Sequence, residues 1–263
     1  MINFQYKDAY TVEDLRNIIA LLRSEQGCPW DREQTHESIR RNFIEETYEA
    51  CEAIDAKDPA LLKEELGDVL TQVIFHARIE EEAGAFNLDD VADATSKKLI
   101  FRHPHIFGDA EASSAHEVML SWDELKRQEK RQETTTQAME AVAGSLPATW
   151  RAEKIQAKAR KVGFDWPDAI PAMDKLEEEL SELKEAMAKG EGIREEVGDL
   201  LFSAVNVARL LDIDPEAALH QASDKFIRRF AYLEGAAAER GQALPSMTLD
   251  EMEALYQEGK ERL

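Results

Sequence analysis

Glu-Glu-x-x-Glu, followed by Glu-Glu-x-Gly-Asp, occurs twice in this chain of 263 residues, once in each half. The first copy is Glu45-Glu46-x-x-Glu49 with Glu64-Glu65-Leu66-Gly67-Asp68, and the second is Glu178-Glu179-x-x-Glu182 with Glu195-Glu196-Val197-Gly198-Asp199. Residues three apart on a helix sit roughly 60° apart around its axis, so each motif puts a carboxylate pair on one face of each of two helices. Side by side, two such helices bring four carboxylates together. Like charges at that range need a cation among them, and an all-oxygen donor set suits a hard ion, Mg²⁺ or else Mn²⁺. Neither acidic motif contains a Glu-x-x-His, which separates them from di-iron bundles.

Two kinds of residue complement the acids. Lys98 and Arg102, and again Lys225 and Arg229, are i, i+4 pairs able to clamp phosphate, Arg as a fork and Lys as a point charge; the plainer reading is a salt-bridged surface. Trp122 with Lys126, and Tyr256 with Lys260, also share a helix face, where an aromatic can stack on a base while the lysine meets a phosphate. After the acidic motif the first half has Phe75 where the second has Asn206. An Asn facing a pocket can hydrogen-bond a sugar or base and Phe cannot, so the second half is favoured as the principal site, the first remaining a second site or a structural copy. Trp166, in the turn before the second acidic helix, joins the substrate-binding candidates.

The elements that must hold these residues are helices. Helical periodicity predicts them at 11–26, 34–56, 60–83, 88–103 and 114–131, then 148–162, 171–189, 192–212, 215–241 and 248–262, with all eight prolines at pauses in the apolar pattern. The second five repeat the first five: Gly27 to Asp31 matches Gly163 to Trp166, both acidic motifs reach Ala-Arg ten residues after the Asp, and the Lys/Arg and aromatic/Lys pairs follow in the same order. The expected architecture is all-α, two tandem helical-bundle modules of about five helices each, dimerising through an apolar face. The modules span 1–132 and 148–263, with 133–147 as linker.

Composition narrows the partners. A net charge of −22 argues against nucleic acid or an anionic membrane as main partner. Met1 to Tyr10 has no apolar leader, and the apolar stretch 200–211 is interrupted by Ser203, Asn206 and Arg209, so a cytoplasmic protein with no membrane span is expected. Cys28 and Cys51 make neither a disulfide framework nor a metal knuckle. His103-Pro104-His105 reads as a helix stop; His36-Glu37 and His116-Glu117 lack the second His of a zincin, and Gly190-Glu191-Gly192 is an interhelical turn.

With Gly27-Cys28-Pro29-Trp30-Asp31, Arg102-His103-Pro104-His105 and Lys161-Val162-Gly163-Phe164-Asp165-Trp166 added to the doubled acidic motif, the chain resembles the MazG family of nucleoside triphosphate pyrophosphohydrolases over nearly its whole length. The resemblance implies Mg²⁺-dependent hydrolysis of NTPs and dNTPs to monophosphate and pyrophosphate by a homodimer. By motif position, metal binding falls to Glu46, Glu49, Glu65 and Asp68, and to Glu179, Glu182, Glu196 and Asp199. Phosphate binding falls to Lys225, Arg229 and Lys260, with Tyr256 in place of a common Trp. Water then attacks the α-phosphorus, with Glu45 or Glu178 accepting its proton or merely supporting the ligands. Two rivals stand beside this: a narrower housecleaning hydrolase of dUTP, dCTP or a damaged nucleotide, and a non-catalytic metal-binding helical dimer with a regulatory partner.

Overall fold

The computed structural model describes residues 4–109, 114–129 and 132–262, with backbone alone at 115, 116, 119–121, 123 and 124. His116, weighed above as a metal ligand, is therefore outside the described side chains. Among the described residues there is no strand. The helices are α1 (Val12–Leu22), α2 (Pro29–Glu33), α3 (His36–Ala56), α4 (Pro59–Ala83), α5 (Leu88–Arg102), α6 (Pro104–Phe107) and α7 (Ala115–Glu129), then α8 (Thr135–Glu140), α9 (Ala148–Arg160), α10 (Ala169–Lys189), α11 (Ile193–Leu210), α12 (Pro215–Glu239) and α13 (Leu249–Arg262). The ten long ones fall where periodicity put them. No helix of the described residues is long and apolar enough to cross a membrane.

Local chemistry starts and stops these helices. Thr11, Thr35, Asn87 and Thr134 build capping boxes, and the side chains of Asp58, Asp168 and Asp214 accept from the first backbone N–H groups of α4, α10 and α12. Asp214 also accepts from the Trp150 indole at 3.0 Å, tying α12 to α9. A side chain at Gly27 would place its Cβ 2.2 Å from the carbonyl oxygens of Leu21 and Leu22, so the turn after α1 needs glycine.

The chain divides into two compact units, Met1–Lys126 and Arg127–Leu263. In the first, α3 and α4 form an antiparallel hairpin, and Ile19, Ile39, Ile74 and Phe75 make the core, with Leu15, Leu70, Ile79 and Leu88 around it. In the second, α10 and α11 form the matching hairpin with α9 against α11, while α12 and α13 pack on each other through Leu233, Ala237, Met247 and Leu255. The same order of helices thus recurs. The stretch expected as linker, 133–147, contains α8, which packs on α9 and buries Ala138; its six residues are too few to show a helical period, but the Thr134 capping box starts them.

Candidate active site

Each hairpin turns sharply enough to lay its two acidic helices side by side. Between α10 and α11 the chain passes through Gly190 (φ 76°) and Gly192 (φ 73°), left-handed positions that glycine adopts without strain. Between α3 and α4 the left-handed residue is Lys57, followed by the Asp58 cap and Pro59 at the first helical position.

The carboxylates converge in both modules. Glu46, Glu49 and Glu65 offer oxygens all within 4.8 Å of one another, and so do Glu179, Glu196 and Asp199. Asp68 and Glu182 stand just outside these triads, yet both are felt within them. Burial, with the charges of Asp68, Glu49 and Glu65, holds the Glu46 carboxyl above the usual range. Burial and the charges of Glu49 and Asp68 do the same to Glu65. Glu182 is pushed up by burial and by Glu179, with which it shares a hydrogen bond, against the pull of Lys175. Oxygen-only donors drawn from two helices, in surroundings that penalise their charge, fit a hard divalent cation.

Those directions carry a pH dependence. A carboxyl raised in the folded state favours folding while protonated; that contribution is complete below its ordinary pKa and is lost as pH rises through the raised value. Without metal, Glu46 and Glu65 in the first cluster and Glu182 beside the second therefore oppose folding increasingly as pH climbs past about 4.5, and a bound cation removes the penalty. Thermal unfolding with and without Mg²⁺ checks this. A several-degree rise is expected at neutral pH, since a hundredfold excess over Kd stabilises by about 2.7 kcal/mol, and it shrinks near pH 4. An equal shift at both pH values, or none, contradicts the cation site.

The two modules differ beside the triads. In the second, a cavity of about 570 Å³ opens against Glu179, the triad member that is 6% exposed. Its walls include Phe164, Trp166 and Phe202, and Met139 comes to it from α8. Asn206 also lines it, held by Arg209, whose Nε and Nη2 donate to its Oδ1 at 3.1 and 2.7 Å. Arg209 in turn makes a bidentate pair with Asp165, Nη1 to Oδ2 at 3.0 Å and Nη2 to Oδ1. Lys175 bonds Glu178 at 3.0 Å and Glu179 at 2.9 Å, which holds its ammonium protonated well above the ordinary range. In the first module the positions matching Asn206 and Ala159 are Phe75 and Arg23, and there the Arg23 guanidinium lies 5.0 Å over the Phe75 ring. It is bonded to Glu82 and to the carbonyls of Asp31 and Gln34. In the second module Asn and Ala stand at those positions, and both line the cavity.

The basic and aromatic candidates meet in a pairing the sequence did not show, and it is the same in both modules. The Arg102 guanidinium lies 5.5 Å over the Trp122 ring, and Arg229 lies 5.9 Å over Tyr256. Arg102 is buried, whereas Lys98, Lys126 and Arg229 are half-buried and Lys225 and Lys260 exposed. None of Lys225, Arg229, Tyr256 and Lys260 lines the cavity. Glu45 is engaged by Arg41 at 2.7 Å, as Glu178 is by Lys175. His36, set aside as a zincin ligand, bonds His76 and Glu80, each at 2.7 Å. Sequence reasoning missed Lys175, Asp165 and Gln156. Lys175 had a signal, four residues before Glu179; the others meet the site only through packing.

Comparison with known proteins agrees with this geometry. The model of the MazG nucleotide pyrophosphohydrolase domain matches twice, at residues 34–107 and 170–232. The chain belongs to the MazG family. It is 45% identical over 248 residues to the nucleoside triphosphate pyrophosphohydrolase/pyrophosphatase MazG of Thermotoga maritima, covering 94% of this chain and 95% of that one. It is 41% identical over 254 residues to the nucleoside triphosphate pyrophosphohydrolase of Escherichia coli K12, covering 95% and 97%. An uncharacterized protein of Bacillus subtilis, YabN, is 44% identical over 94% of this chain but 51% of its own length. The two MazG matches enclose both acidic hairpins, and with them both triads.

Proposed function

We propose that this MazG chain hydrolyses nucleoside and deoxynucleoside triphosphates to the monophosphate and pyrophosphate, with the second module as principal site. What carries the reading is Glu179, which belongs at once to the carboxylate triad and to the wall of the cavity. A triphosphate whose base and sugar enter the cavity has its phosphates directed at that triad. The relatives named for this activity support the reaction class.

Glu179, Glu196 and Asp199 would hold Mg²⁺, with Glu182 completing the set from one turn along α10. Bound there, the ion offsets polyphosphate charge and makes a water more acidic for attack at the α-phosphorus. The protein's own groups do the rest. Glu178, at the exposed edge of the triad, accepts the proton of the attacking water; its bond to Lys175 keeps it oriented. Lys225, Arg229 and Lys260 hold phosphate oxygens, and because they sit on α12 and α13 and do not line the cavity, they act at the outer end of the polyphosphate. The first module, with its triad but with Arg23 and Phe75 packed together, acts as a metal-bound structural copy.

The test is pyrophosphate release from a panel of NTPs and dNTPs with Mg²⁺. Monophosphate plus pyrophosphate from several of them is expected, whereas turnover of dUTP or dCTP alone would favour the narrower hydrolase and none at all the non-catalytic dimer.

The second module leaves large apolar side chains on its surface: Met187 on α10, Leu201 on α11, and Leu219, Phe226 and Ile227 on α12. So much exposed apolar surface is unusual for a monomer, and a homodimer covers it. Sedimentation equilibrium decides the point: a mass twice 29.8 kDa is expected, and the monomer mass at micromolar concentration contradicts it.

A further inference from the structure

Gly259 is buried in the last turn of α13. Glycine inside a helix is destabilising, because it loses more backbone freedom on folding than any other residue. Here the space is taken by Tyr232 of α12. A Cβ at position 259 would stand 2.8 Å from Cδ1, 3.2 Å from Cγ and 3.3 Å from Cβ of that tyrosine. Those atoms are the root of the side chain, and no rotation of the ring carries its Cβ away. Gly67, Gly198 and Gly235, also inside helices, meet nothing within 4 Å. The residue matching Gly259 in the first module is Leu125, so the repeat does not ask for glycine either.

Tyr232 is itself held in place. The Arg262 guanidinium lies 5.6 Å over its ring, and burial with a hydrogen bond to Glu258 holds its hydroxyl protonated above the ordinary range. Glu258 also accepts from Arg240 at 2.9 Å and from Arg262 at 2.8 Å. Ring and missing side chain therefore form a knob and a hole that set how closely α13 lies on α12. The residues around the hole matter for the site. Lys260 follows Gly259 directly. Tyr256, three residues earlier, meets the Phe226 ring at 5.7 Å and lies 5.9 Å under the Arg229 guanidinium. Arg240 and Arg262 have Glu258 as partner, whereas Lys225, Arg229 and Lys260 make no ion pair among the described residues. The seating of one helix on the other thus decides where these uncommitted cations stand.

We propose that Gly259 and Tyr232 are positioning residues for the outer phosphates of the substrate: the ring seated in the glycine hole fixes the depth of α13 on α12 and so brings Lys260 and Tyr256 into register with Lys225 and Arg229. Neither residue touches the substrate. This rests on the reading of those cations as phosphate-holding groups and adds what keeps them in register.

Calorimetry on the full chain with Mg²⁺ tests it, comparing an α,β-imido nucleoside triphosphate with the matching nucleoside monophosphate, which has no outer phosphates. Gly259→Ala drives α13 off the ring. It is expected to weaken the triphosphate about tenfold, the worth of one hydrogen bond to a charged group, and the monophosphate less than about twofold. Tyr232→Ala removes the knob without creating a clash, and gives the same selective loss even where Gly259→Ala fails to fold. In a Lys260→Ala chain, itself weakened for the triphosphate alone, adding Gly259→Ala costs less than about threefold more, because the group it displaces is already gone. Equal loss for both ligands, no loss for either, or a full further tenfold loss on top of Lys260→Ala overturns the proposal. If Lys260→Ala weakens the triphosphate while both positioning variants bind it normally, this proposal falls alone. A wild type that binds in the expected pattern but hydrolyses no parent triphosphate leaves it standing and sinks the enzymatic reading instead.

Discussion

Glu196→Ala is expected to reduce pyrophosphate release at least about 100-fold, and Glu65→Ala less than about threefold. The two residues are matched by the repeat and each belongs to a carboxylate triad. Only Glu196 shares its triad with a residue that walls the cavity, since Glu179 lies in both. Removing one group preorganised to stabilise charge in a transition state costs about 100- to 1,000-fold, whereas removing a structural ligand acts on stability. Both variants should therefore lose part of the Mg²⁺-induced rise in melting temperature, and only one should lose turnover. A reversed pattern would move the chemistry to the first module.

Asp165→Ala should be the most destabilising single change near the site. The Arg209 side chain is 6% exposed and that of Asp165 15%. Without Asp165 the guanidinium keeps only the Asn206 oxygen, and a buried charge deprived of its partner costs about 3–5 kcal/mol. That is a large share of a typical folding stability of about 5–15 kcal/mol. Burial alone would raise the Asp165 carboxyl; the hydrogen bonds and charge of Arg209, with the Trp166 N–H, outweigh it and hold the carboxyl below its usual range. A lowered carboxyl contributes stability above its unfolded pKa and loses it as pH falls through the folded value. Urea unfolding at neutral pH and near pH 3 measures both effects. The wild type should weaken toward acid more than Asp165→Ala does, and an equal acid sensitivity would contradict the pairing.

Much of this was legible in the sequence because helices carry their own period and punctuation. Acids three residues apart, the Gly-Asp step and the prolines at pauses in the apolar pattern place Glu179, Glu196 and Asp199 on successive helices with no three-dimensional information. The repeat gave the Lys/Arg and aromatic/Lys pairs, but that Arg229 lies over Tyr256, as Arg102 does over Trp122, came only from the packing. Elements shorter than two turns stayed hidden: α2, α6 and α8 are four to six residues each and show no periodicity. The cavity stayed hidden for another reason. Met139, Gln156, Asp165 and Asn206 sit on α8, α9, the turn before α10, and α11, and nothing in their spacing says that packing brings them together. Only the Phe75 and Asn206 contrast hinted at it, as one core residue of the first module replaced by an amide in the second.

The most direct test of the central claim is where the oxygen of water goes. Hydrolysis of a nucleoside triphosphate in heavy-oxygen water with Mg²⁺, followed by mass spectrometry of the products, locates the phosphorus attacked. Attack at the α-phosphorus predicts one heavy oxygen in the monophosphate and none in the pyrophosphate. Label in the pyrophosphate, or release of labelled orthophosphate, would contradict it.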